Sequence, residues 1–357
     1  MRKILGICTT PFQILICLSL KLNNFMNDEV ELLISDGITD YNKIVENANK
    51  LELFSKVSPI EEKKVNHGVL YKILFRMATL NKLFSRFFIR KFYHNVSFNY
   101  DKILFYALSP RQSFVNIVAY AQKKRNNIEW FEEGVLVNSP AMAIFFQDRT
   151  SIKNKVFHYD FLQKHITKQY LVNPGALKYR VPFKCEKLHI PVESPVFIGA
   201  LNTIFDFSLE NCISQKYIFF DQNLKEMNLE LNKNEILDFI QTKVGKENFI
   251  IKLHPRNNTP EFKEKYNTIQ KVNIPWEVYL LNQDDIENKV LIGMNTSSLI
   301  HGLYYFSKKI KVISLVNFFH SENPFNNYMI KEHFEKNTEI YKCPSNLSDL
   351  EQMLGEL

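Results

Sequence analysis

One stretch of the chain decides the fold: KILGICTTPFQILICLSLKL, residues 3–22. Its first six residues form a mainly apolar run of strand length, and two threonines and a proline then interrupt the apolar pattern. Pro11 follows a hydroxyl residue at the position where proline is favoured, the start of a helix. The stretch therefore predicts a buried strand over Lys3–Cys8, a tight turn and a helix over 11–22, the opening of an α/β domain.

The same residues share features with secretion signals, because Arg2 and Lys3 precede an apolar segment. Pro11 and Gln13 nevertheless break that segment, and no small-residue cleavage site follows it. The uninterrupted apolar part is also too short to cross a bilayer. We therefore expect a cytoplasmic protein.

Strand-length apolar runs alternate with helix-length amphipathic segments along the rest of the chain. The predicted strands are Lys3–Cys8, 31–35, 102–107, Ile128–Phe131, Tyr217–Phe220, 249–253, Val290–Gly293 and 311–315. The predicted helices are 11–22, 42–53, 70–93, 111–124, Lys233–Val244, 261–268, Trp276–Asn282, Ser298–Phe306 and 348–354. This alternation favours parallel sheets joined by right-handed helical crossovers.

The chain of 357 residues is long enough for two domains of ordinary size. The boundary is predicted in 182–209, which contains three prolines, lacks periodicity and precedes a new series of strands and helices. The predicted organisation is a first domain over 1–190, a linker over 191–209 and a second domain over 210–357. We expect two doubly wound α/β domains with a cleft between them and ligands at the carboxyl ends of the strands.

Composition and charge exclude several classes of protein. With 45% hydrophobic residues the chain is not disordered, and 45 Lys and Arg against 38 Asp and Glu give a mildly basic +7, which favours phosphate-bearing partners. The five cysteines are scattered without CxxC spacing, which indicates free thiols rather than a disulfide framework or zinc site. No metal-ligand spacing, Asp-x-Asp motif or phosphate-binding glycine motif occurs, so we predict neither a metal nor a bound cofactor.

Residues 63–100 contain no Asp or Glu, while eight cations and many Leu and Phe residues recur there, largely at helical spacing. Two interpretations are open for the predicted helix over 70–93. It lies on an anionic membrane surface, or it packs one face in the core and leaves a basic face in solvent. A nucleic-acid interface is not favoured, because no recognised binding module accompanies the charge.

Two adjacent carboxylates, Glu132 and Glu133, follow the predicted strand Ile128–Phe131. Gly134 then permits a sharp turn, so at least one acid is expected at the carboxyl edge of the sheet. Like charges this close raise the pKa of one partner, which suits a general base. An ordinary surface turn has the same composition, and the pair alone does not decide between the two interpretations.

A compact cationic group follows the predicted strand 249–253. It consists of Lys252, His254, Pro255 and Arg256. Strand alternation points Lys252 and His254 to the same side, and the proline ends the strand. The group predicts a phosphate site, with a structural histidine at a strand end as the alternative.

Further polar candidates also lie near predicted strand and helix ends. The hydroxyl residues Thr296, Ser297 and Ser298 lie between a predicted strand and a predicted helix, where they serve as a helix cap and as an anion site. Glu277 lies in the first turn of the predicted helix Trp276–Asn282. It either accepts hydrogen bonds from ribose hydroxyls or stabilises the positive end of the helix. Asp221 directly follows a predicted strand and is a further candidate acid.

In this order, the Glu-Glu-Gly, Lys-x-His-Pro, Pro-Trp-Glu and Ser-Ser motifs resemble the motif set of the bacterial sialyltransferases. The opening CTTPFQ, residues 8–13, and the His-Pro-Arg form are most similar to glycosyltransferase family 52, the lipooligosaccharide and capsule sialyltransferase type. The resemblance extends from Cys8 to Ser298 through short motifs separated by unmatched sequence. It implies a GT-B fold of two Rossmann-like domains facing a cleft, and inverting, metal-independent transfer from CMP-sialic acid.

The resemblance also implies a role for the matched residues. The donor-binding set is Lys252, His254, Pro255, Arg256, Glu277, Thr296, Ser297 and Ser298. Within it, His254 contacts the donor phosphate and assists departure of CMP, and Glu277 holds the ribose. The base is Glu132 or Glu133 by analogy with related families. In the lipooligosaccharide branch it is an aspartate after the first strand of the second domain, near Asp221, so the base stays open.

The implied partners are CMP-sialic acid and a galactose-terminated lipooligosaccharide or capsular glycan at the inner membrane. A peripheral membrane contact through 70–93 and a homodimer are further expectations, and nucleic acid is not an expected partner. Two alternatives remain open. The protein is another nucleotide-sugar transferase of the same fold, for example a glucosyltransferase, or a non-catalytic protein that binds a glycan or a membrane surface.

Overall fold

The computed structural model divides the chain into two compact units, Met1–Asp206 and Phe207–Leu357. It describes residues 1–61, 68–106, 117–118, 121–122, 127–134, 166–222, 233–254, 260–269, 271, 273–294, 296–318 and 337–356. Each unit is built on one parallel sheet accompanied by helices, as the alternating pattern predicts. Among the helices within these ranges, none is both long enough and apolar enough to cross a membrane.

The first unit contains seven strands in one sheet. Its elements are, in chain order, β1 (Lys3–Cys8), α1 (Pro11–Asn23), β2 (Glu29–Ser35), α2 (Tyr41–Lys50), β3 (Lys56–Ile60), α3 (Val69–Leu80), α4 (Lys82–Phe92), β4 (Lys102–Phe105), β5 (Ile128–Phe131), β6 (Ile166–Leu171), β7 (Lys184–Lys187) and α5 (Pro195–Phe205). The strand order is β3-β2-β1-β4-β5-β6-β7, and all pairings are parallel. The order reverses between β1 and β4, which is where ligands bind in such sheets.

The opening stretch folds as its pattern predicts. Gly6 lets β1 approach its neighbours closely, because a Cβ there would lie 2.6 Å from Leu32 Cδ2 in β2 and 3.1 Å from Cys17 Sγ in α1. Thr10 caps α1, since its side chain accepts the backbone N–H of Gln13. The buried strand and the capped helix therefore fix the turn that follows β1.

The second unit contains a five-stranded sheet. Its elements are β8 (Tyr217–Phe220), α6 (Lys233–Val244), β9 (Phe249–Lys252), α7 (Pro260–Lys265), α8 (Trp276–Asn282), β10 (Val290–Gly293), α9 (Ser298–Phe306), β11 (Lys311–Ser314), β12 (Tyr341–Lys342) and α10 (Leu347–Glu356). The order is β12-β11-β10-β8-β9, again with parallel pairings. The order reverses between β8 and β10, so β8, β9 and β10 end side by side at the carboxyl edge.

Every strand predicted from the sequence is present, and four others were not predicted: β3, β6, β7 and β12. β7 is an edge strand with the sequence KCEK, and its charged side chains give it no apolar run. β3 contains Pro59, which reads as a turn residue in sequence. For β3 and β7, pairing with neighbouring strands therefore decides the strand, because their own residues do not predict one.

Two predicted segments differ in the structure. The prediction of a single helix over 70–93 is wrong, because Asn81 has an extended backbone (φ −146°, ψ 137°) and ends α3. The side chain of Asn81 then caps α4. The predicted linker over 191–209 contains α5, which packs against α1 and α2. Pro195 is the first residue of that helix after the capping Ser194, so the proline begins a helix there. The predicted helix over 111–124 lies mostly outside the described residues.

Candidate active site

The carboxyl edge of the first sheet collects polar residues from several strand ends. Thr9 and Thr10 follow β1, Tyr106 follows β4, and Glu132 and Glu133 follow β5. Because β1, β4 and β5 are neighbours in the sheet, these residues lie along one stretch of its edge. The edge also includes the point at which the strand order reverses, and this is the candidate site of the first unit.

Glu132 is a fully buried carboxylate that ties β5 to β6. Its Oε2 accepts the backbone N–H of Val172 at 2.6 Å, and its own N–H donates to the Tyr170 carbonyl at 2.9 Å. It is 0% exposed. The Glu132 carboxylate therefore holds the edge of the sheet where β5 and β6 end.

Glu133 has a different environment, although it is the next residue. It is half-buried and lies beside the start of α1. Burial raises the pKa of the Glu133 carboxyl, and hydrogen bonding from the side chains of Thr10 and Gln13 offsets only part of that effect. A carboxylate with a raised pKa is a stronger base when it is ionised. The structure thus separates two glutamates that the sequence leaves equivalent.

The turn before α1 holds the groups that face Glu133. Gln13 Oε1 accepts the Thr9 backbone N–H at 2.6 Å and the Thr9 hydroxyl at 3.2 Å. Gln13 is 0% exposed, and its side-chain amide lies beside the Glu133 carboxyl. The sequence indicates Thr10 as part of the turn before α1 and Gln13 as a break in the apolar segment, and both belong to the CTTPFQ stretch that carries the family resemblance. Their place beside Glu133 follows from the order of the strands, which the local pattern does not contain.

Asp221 organises the corresponding edge of the second sheet. Its Oδ1 pairs with Lys233 Nζ at 2.6 Å, and its Oδ2 accepts the backbone N–H of His254 at 3.4 Å. Its own N–H donates to the Lys252 carbonyl at 3.0 Å. The side chain is 1% exposed. Asp221 therefore joins the end of β8 to the end of β9 and fixes the backbone that carries His254.

Lys252, the last residue of β9, extends toward the start of α8. Its Nζ donates to the Ile274 carbonyl at 2.9 Å and lies 5.6 Å from the centre of the Tyr279 ring. Burial lowers the pKa of Lys252 to about 8, and the negative charge of Glu277 opposes that shift. The cation predicted from the sequence is present, and its lowered pKa means that it loses its proton at a lower pH than an ordinary lysine.

Glu277 forms a buried pair with His301 of α9. Its Oε1 lies 2.5 Å from His301 Nδ1, and the two side chains are each 6% exposed. Burial alone raises the pKa of Glu277, but hydrogen bonding to His301, the positive charges of His301 and Lys252 and a backbone N–H together lower it. His301 was not predicted as a site residue. The available signal was its position three residues after Ser298 in the same helix.

The hydroxyl residues form the start of α9. Thr296 Oγ1 accepts the backbone N–H of Ser298 at 3.3 Å, so the threonine supplies the cap. Ser297 occupies the cap position, but its side chain makes no capping hydrogen bond. All three residues are half-buried. The predicted cap is thus confirmed with Thr296 as the capping side chain.

The second unit has its own candidate site, which consists of residues at the ends of β8, β9 and β10 and at the starts of α8 and α9. The sheet places Asp221, His254 and Ser297 at one edge, whereas Pro255 and Arg256 lie outside the described residues. Within the described ranges, no group of three or more His, Cys, Asp and Glu side chains is arranged to hold a metal ion. The arrangement suits an anion, because a half-buried cation, Lys252, and the start of α9 lie at the same edge of the sheet.

Two Rossmann-like units with parallel sheets, each with polar residues at its carboxyl edge, define a GT-B fold. No protein-family model and no curated protein sequence matches the chain. An α/β-galactoside α-2,3-sialyltransferase from Photobacterium phosphoreum is similar in structure, with a TM-score of 0.50 and 13% identity over 98% of this chain and 99% of that one.

Two further structures share the fold. Arabidopsis thaliana UGT89C1, complexed with quercetin, has a TM-score of 0.52 and 13% identity over 99% of this chain and 89% of that one. The UDP-GlcNAc 2-epimerase of Methanocaldococcus jannaschii, in complex with UDP-GlcNAc and UDP, has a TM-score of 0.52 and 11% identity over 99% and 92%. At these identities the likeness establishes the GT-B fold alone.

Proposed function

We propose that this protein is an inverting, metal-independent sialyltransferase that moves sialic acid from CMP-sialic acid to a galactose-terminated lipooligosaccharide or capsular glycan. The observation that carries the proposal is Glu133, whose pKa is raised by burial at the carboxyl edge of the first sheet. Glycosyl transfer with inversion needs one carboxylate to activate the acceptor and positive charge at the leaving phosphate. Candidates for these roles lie on separate units of this chain.

In the proposed reaction, Glu133 takes the proton of an acceptor hydroxyl. The hydroxyl oxygen forms a bond to the anomeric carbon of the donor sugar, and the bond from that carbon to the phosphate oxygen breaks. CMP departs with the bonding electrons, and the proton stays on Glu133. Thr10 and Gln13, which offer hydrogen bonds to the carboxylate, hold it in one orientation for this transfer.

The donor phosphate is assigned to the edge of the second sheet. His254 and Lys252 supply positive charge, and Ser297 and Ser298 add hydroxyl donors at the start of α9. Asp221 acts here as a positioning residue for His254, because its carboxylate is engaged by Lys233 and by the His254 backbone. This assignment leaves Glu133 as the base.

The donor nucleoside is assigned to α8. Glu277 binds His301 through Oε1, and we assign its second oxygen to a ribose hydroxyl. The lowered pKa of Glu277 keeps it ionised and therefore a hydrogen-bond acceptor only, which suits hydroxyl recognition. The order of the motifs supports CMP-sialic acid, as does the shared fold of the Photobacterium enzyme. The alternative donors are UDP-sugars, since the compared epimerase binds UDP-GlcNAc on the same fold.

A donor screen tests the proposal. The purified full chain is incubated in EDTA with CMP-sialic acid or with individual UDP-hexoses and terminal-galactose acceptors, and products are identified by mass spectrometry. We expect sialylated product with CMP-sialic acid and no product with any UDP-hexose. The matched control is the His254→Ala variant under the same conditions, in which we expect the product to fall by about 10²–10³-fold.

Each other outcome contradicts the proposal in a distinct way. Product from a UDP-sugar alone identifies a different GT-B transferase. No turnover with any donor, together with glycan binding that His254→Ala leaves unchanged, identifies a non-catalytic binding protein. Product that requires added divalent metal contradicts the metal-independent mechanism.

A further inference from the structure

The helices α3 and α4 form a hairpin with a packed aromatic interior. Tyr71 and Phe75 of α3 contact Phe88 and Phe92 of α4, with ring centroids 5.1 to 5.7 Å apart. The hydroxyls of Tyr71 and Tyr93 lie 3.0 Å apart. The hairpin is therefore held together from within, and its outer side chains project from a fixed support.

The outer side of this hairpin exposes large apolar residues. The six that do so are Val69, Leu70, Ile73, Leu83, Phe84 and Phe87, with 44–75% of each residue exposed, and we call them the apolar hairpin surface. The other described residues include four large apolar side chains with a similar exposed fraction, and these lie outside the hairpin: Met1, Met26, Val196 and Leu209. Singly exposed apolar residues are ordinary, but a concentration of this kind marks an interaction surface.

Positive charge accompanies the apolar hairpin surface. Lys72, Arg76, Arg90 and Lys91 are exposed on the same two helices, and no Asp or Glu occurs anywhere in 63–100. Arg86 differs from these four, because its Nε donates to the Ala121 carbonyl at 3.0 Å. These four cations are exposed to solvent, whereas Arg86 is half-buried and supports the hairpin.

We infer that the hairpin of α3 and α4 docks this protein on an anionic lipid surface. Large apolar side chains enter the boundary between headgroups and acyl chains, while Lys and Arg attract the anionic headgroups. A second copy of the chain fits this surface poorly, because a two-fold contact would oppose cations with cations and offer no acid. The inference does not depend on the proposed sugar transfer, since lipid binding is measured without sugars.

Vesicle flotation tests the inference with the full chain. Vesicles of phosphatidylcholine are compared with vesicles containing a third phosphatidylglycerol, each at low and at physiological salt. We expect binding to the anionic vesicles alone, weakening as salt increases. Arg90→Gln with Lys91→Gln lowers the partition constant about 25-fold, since each cation near an anionic surface contributes about fivefold. Leu83→Ser with Phe87→Ser lowers it more than about tenfold.

The matched controls replace exposed lysines or exposed apolar residues that lie outside the hairpin of α3 and α4. Lys50→Gln with Lys184→Gln removes two exposed cations of the first unit, whose side chains are 62% and 71% exposed. Val196→Ser with Leu209→Ser removes two exposed apolar residues. Both pairs leave the partition constant close to that of the unmodified chain.

Three results overturn the inference. One is equal binding to neutral and anionic vesicles. Another is a decrease of the partition constant in the control double variants as large as in the hairpin double variants. The third is a dimer in sedimentation experiments that the hairpin variants abolish, without any vesicle binding by the unmodified chain. That last result assigns the surface to contacts between copies.

Discussion

Glu133 of the first unit is half-buried and Glu277 of the second is buried, but their pKa values move in opposite directions. Glu133 has neutral hydrogen-bond donors, Thr10 and Gln13, and they offset only part of the effect of burial. Glu277 has a hydrogen bond with His301, a nearby Lys252 and a backbone N–H, and together these interactions outweigh that effect. The difference comes from the neighbours, since both residues are glutamates beside the start of a helix.

Under the proposed function, the two glutamates serve different tasks. A carboxyl with a raised pKa can take up and release a proton during turnover, whereas one with a lowered pKa stays ionised and holds a fixed orientation. We therefore expect substitutions at Glu133 to change the rate of the chemical step. We expect substitutions around Glu277 to change the free energy of unfolding and the affinity for the donor.

The largest expected effect comes from Glu133→Gln. The amide is similar in shape but cannot accept the acceptor proton, so kcat falls by about 10²–10⁴-fold while the Kd of CMP stays nearly unchanged. Thermal stability does not decrease, because burial disfavours the charged form that the substitution removes. Glycosyl transfer kinetics and calorimetric CMP binding measure the two parts.

Glu132→Gln is the matched control for this prediction. A glutamine oxygen can still accept the Val172 N–H, so we expect a small change in kcat. Equal losses in the two variants would contradict the distinction between them. A severe loss of kcat in Asp221→Asn, with full activity in Glu133→Gln, would move the base to the second unit.

The second prediction concerns the phosphate site of the second unit. Lys233→Met removes the cation paired with Asp221, which leaves a buried carboxylate uncompensated and the His254 backbone less well positioned. We expect a roughly tenfold lower kcat/KM together with lower thermal stability. Lys243→Met is the matched control, because Lys243 pairs with an exposed Glu351. Equal effects of the two substitutions would show that Asp221 does not position His254.

The third prediction concerns the pair of Glu277 and His301. His301→Ala removes the partner of a buried carboxylate, and we expect the free energy of unfolding to fall by about 2 kcal/mol at neutral pH. The double variant with Glu277→Gln recovers part of this loss, because no buried charge then remains unpaired. Chemical denaturation of the single and double variants measures the coupling. Additive losses would mean that the two side chains do not stabilise each other.

Much of the fold can be predicted from the sequence, because apolar runs and caps are local features. The bounds of β1, β5, β8 and β10 agree with the prediction, as do those of α6, α8 and α9. The GT-B fold, which the family resemblance implies, is confirmed. Asn81 was missed as a helix break, since asparagine within an amphipathic pattern does not by itself end a helix.

The candidate sites are harder to predict from the sequence, because the pKa values of their residues depend on neighbours from different strands and helices. The sequence contains Glu132 and Glu133 as an adjacent pair but does not show that one meets Val172 and the other meets Thr10 and Gln13. His301 was missed for the same reason, since its partner Glu277 lies 24 residues away. Sequence predicts the residue types at the strand ends, and packing then decides which of them can react.

The last prediction is the pH dependence of transfer. Glu133 must be ionised to accept a proton, so the rate falls as pH decreases through its pKa, and burial shifts that fall above the pH of an ordinary glutamate. Lys252 must be protonated to stabilise the departing phosphate, so the rate falls again as pH rises through about 8. The profile of kcat against pH is therefore bell-shaped, with each unit responsible for one side of it. Lys252→Met lowers the maximum rate and removes the alkaline fall, since the apolar side chain has no proton to lose. If that variant keeps the alkaline fall, another group titrates there and Lys252 is a buried structural cation.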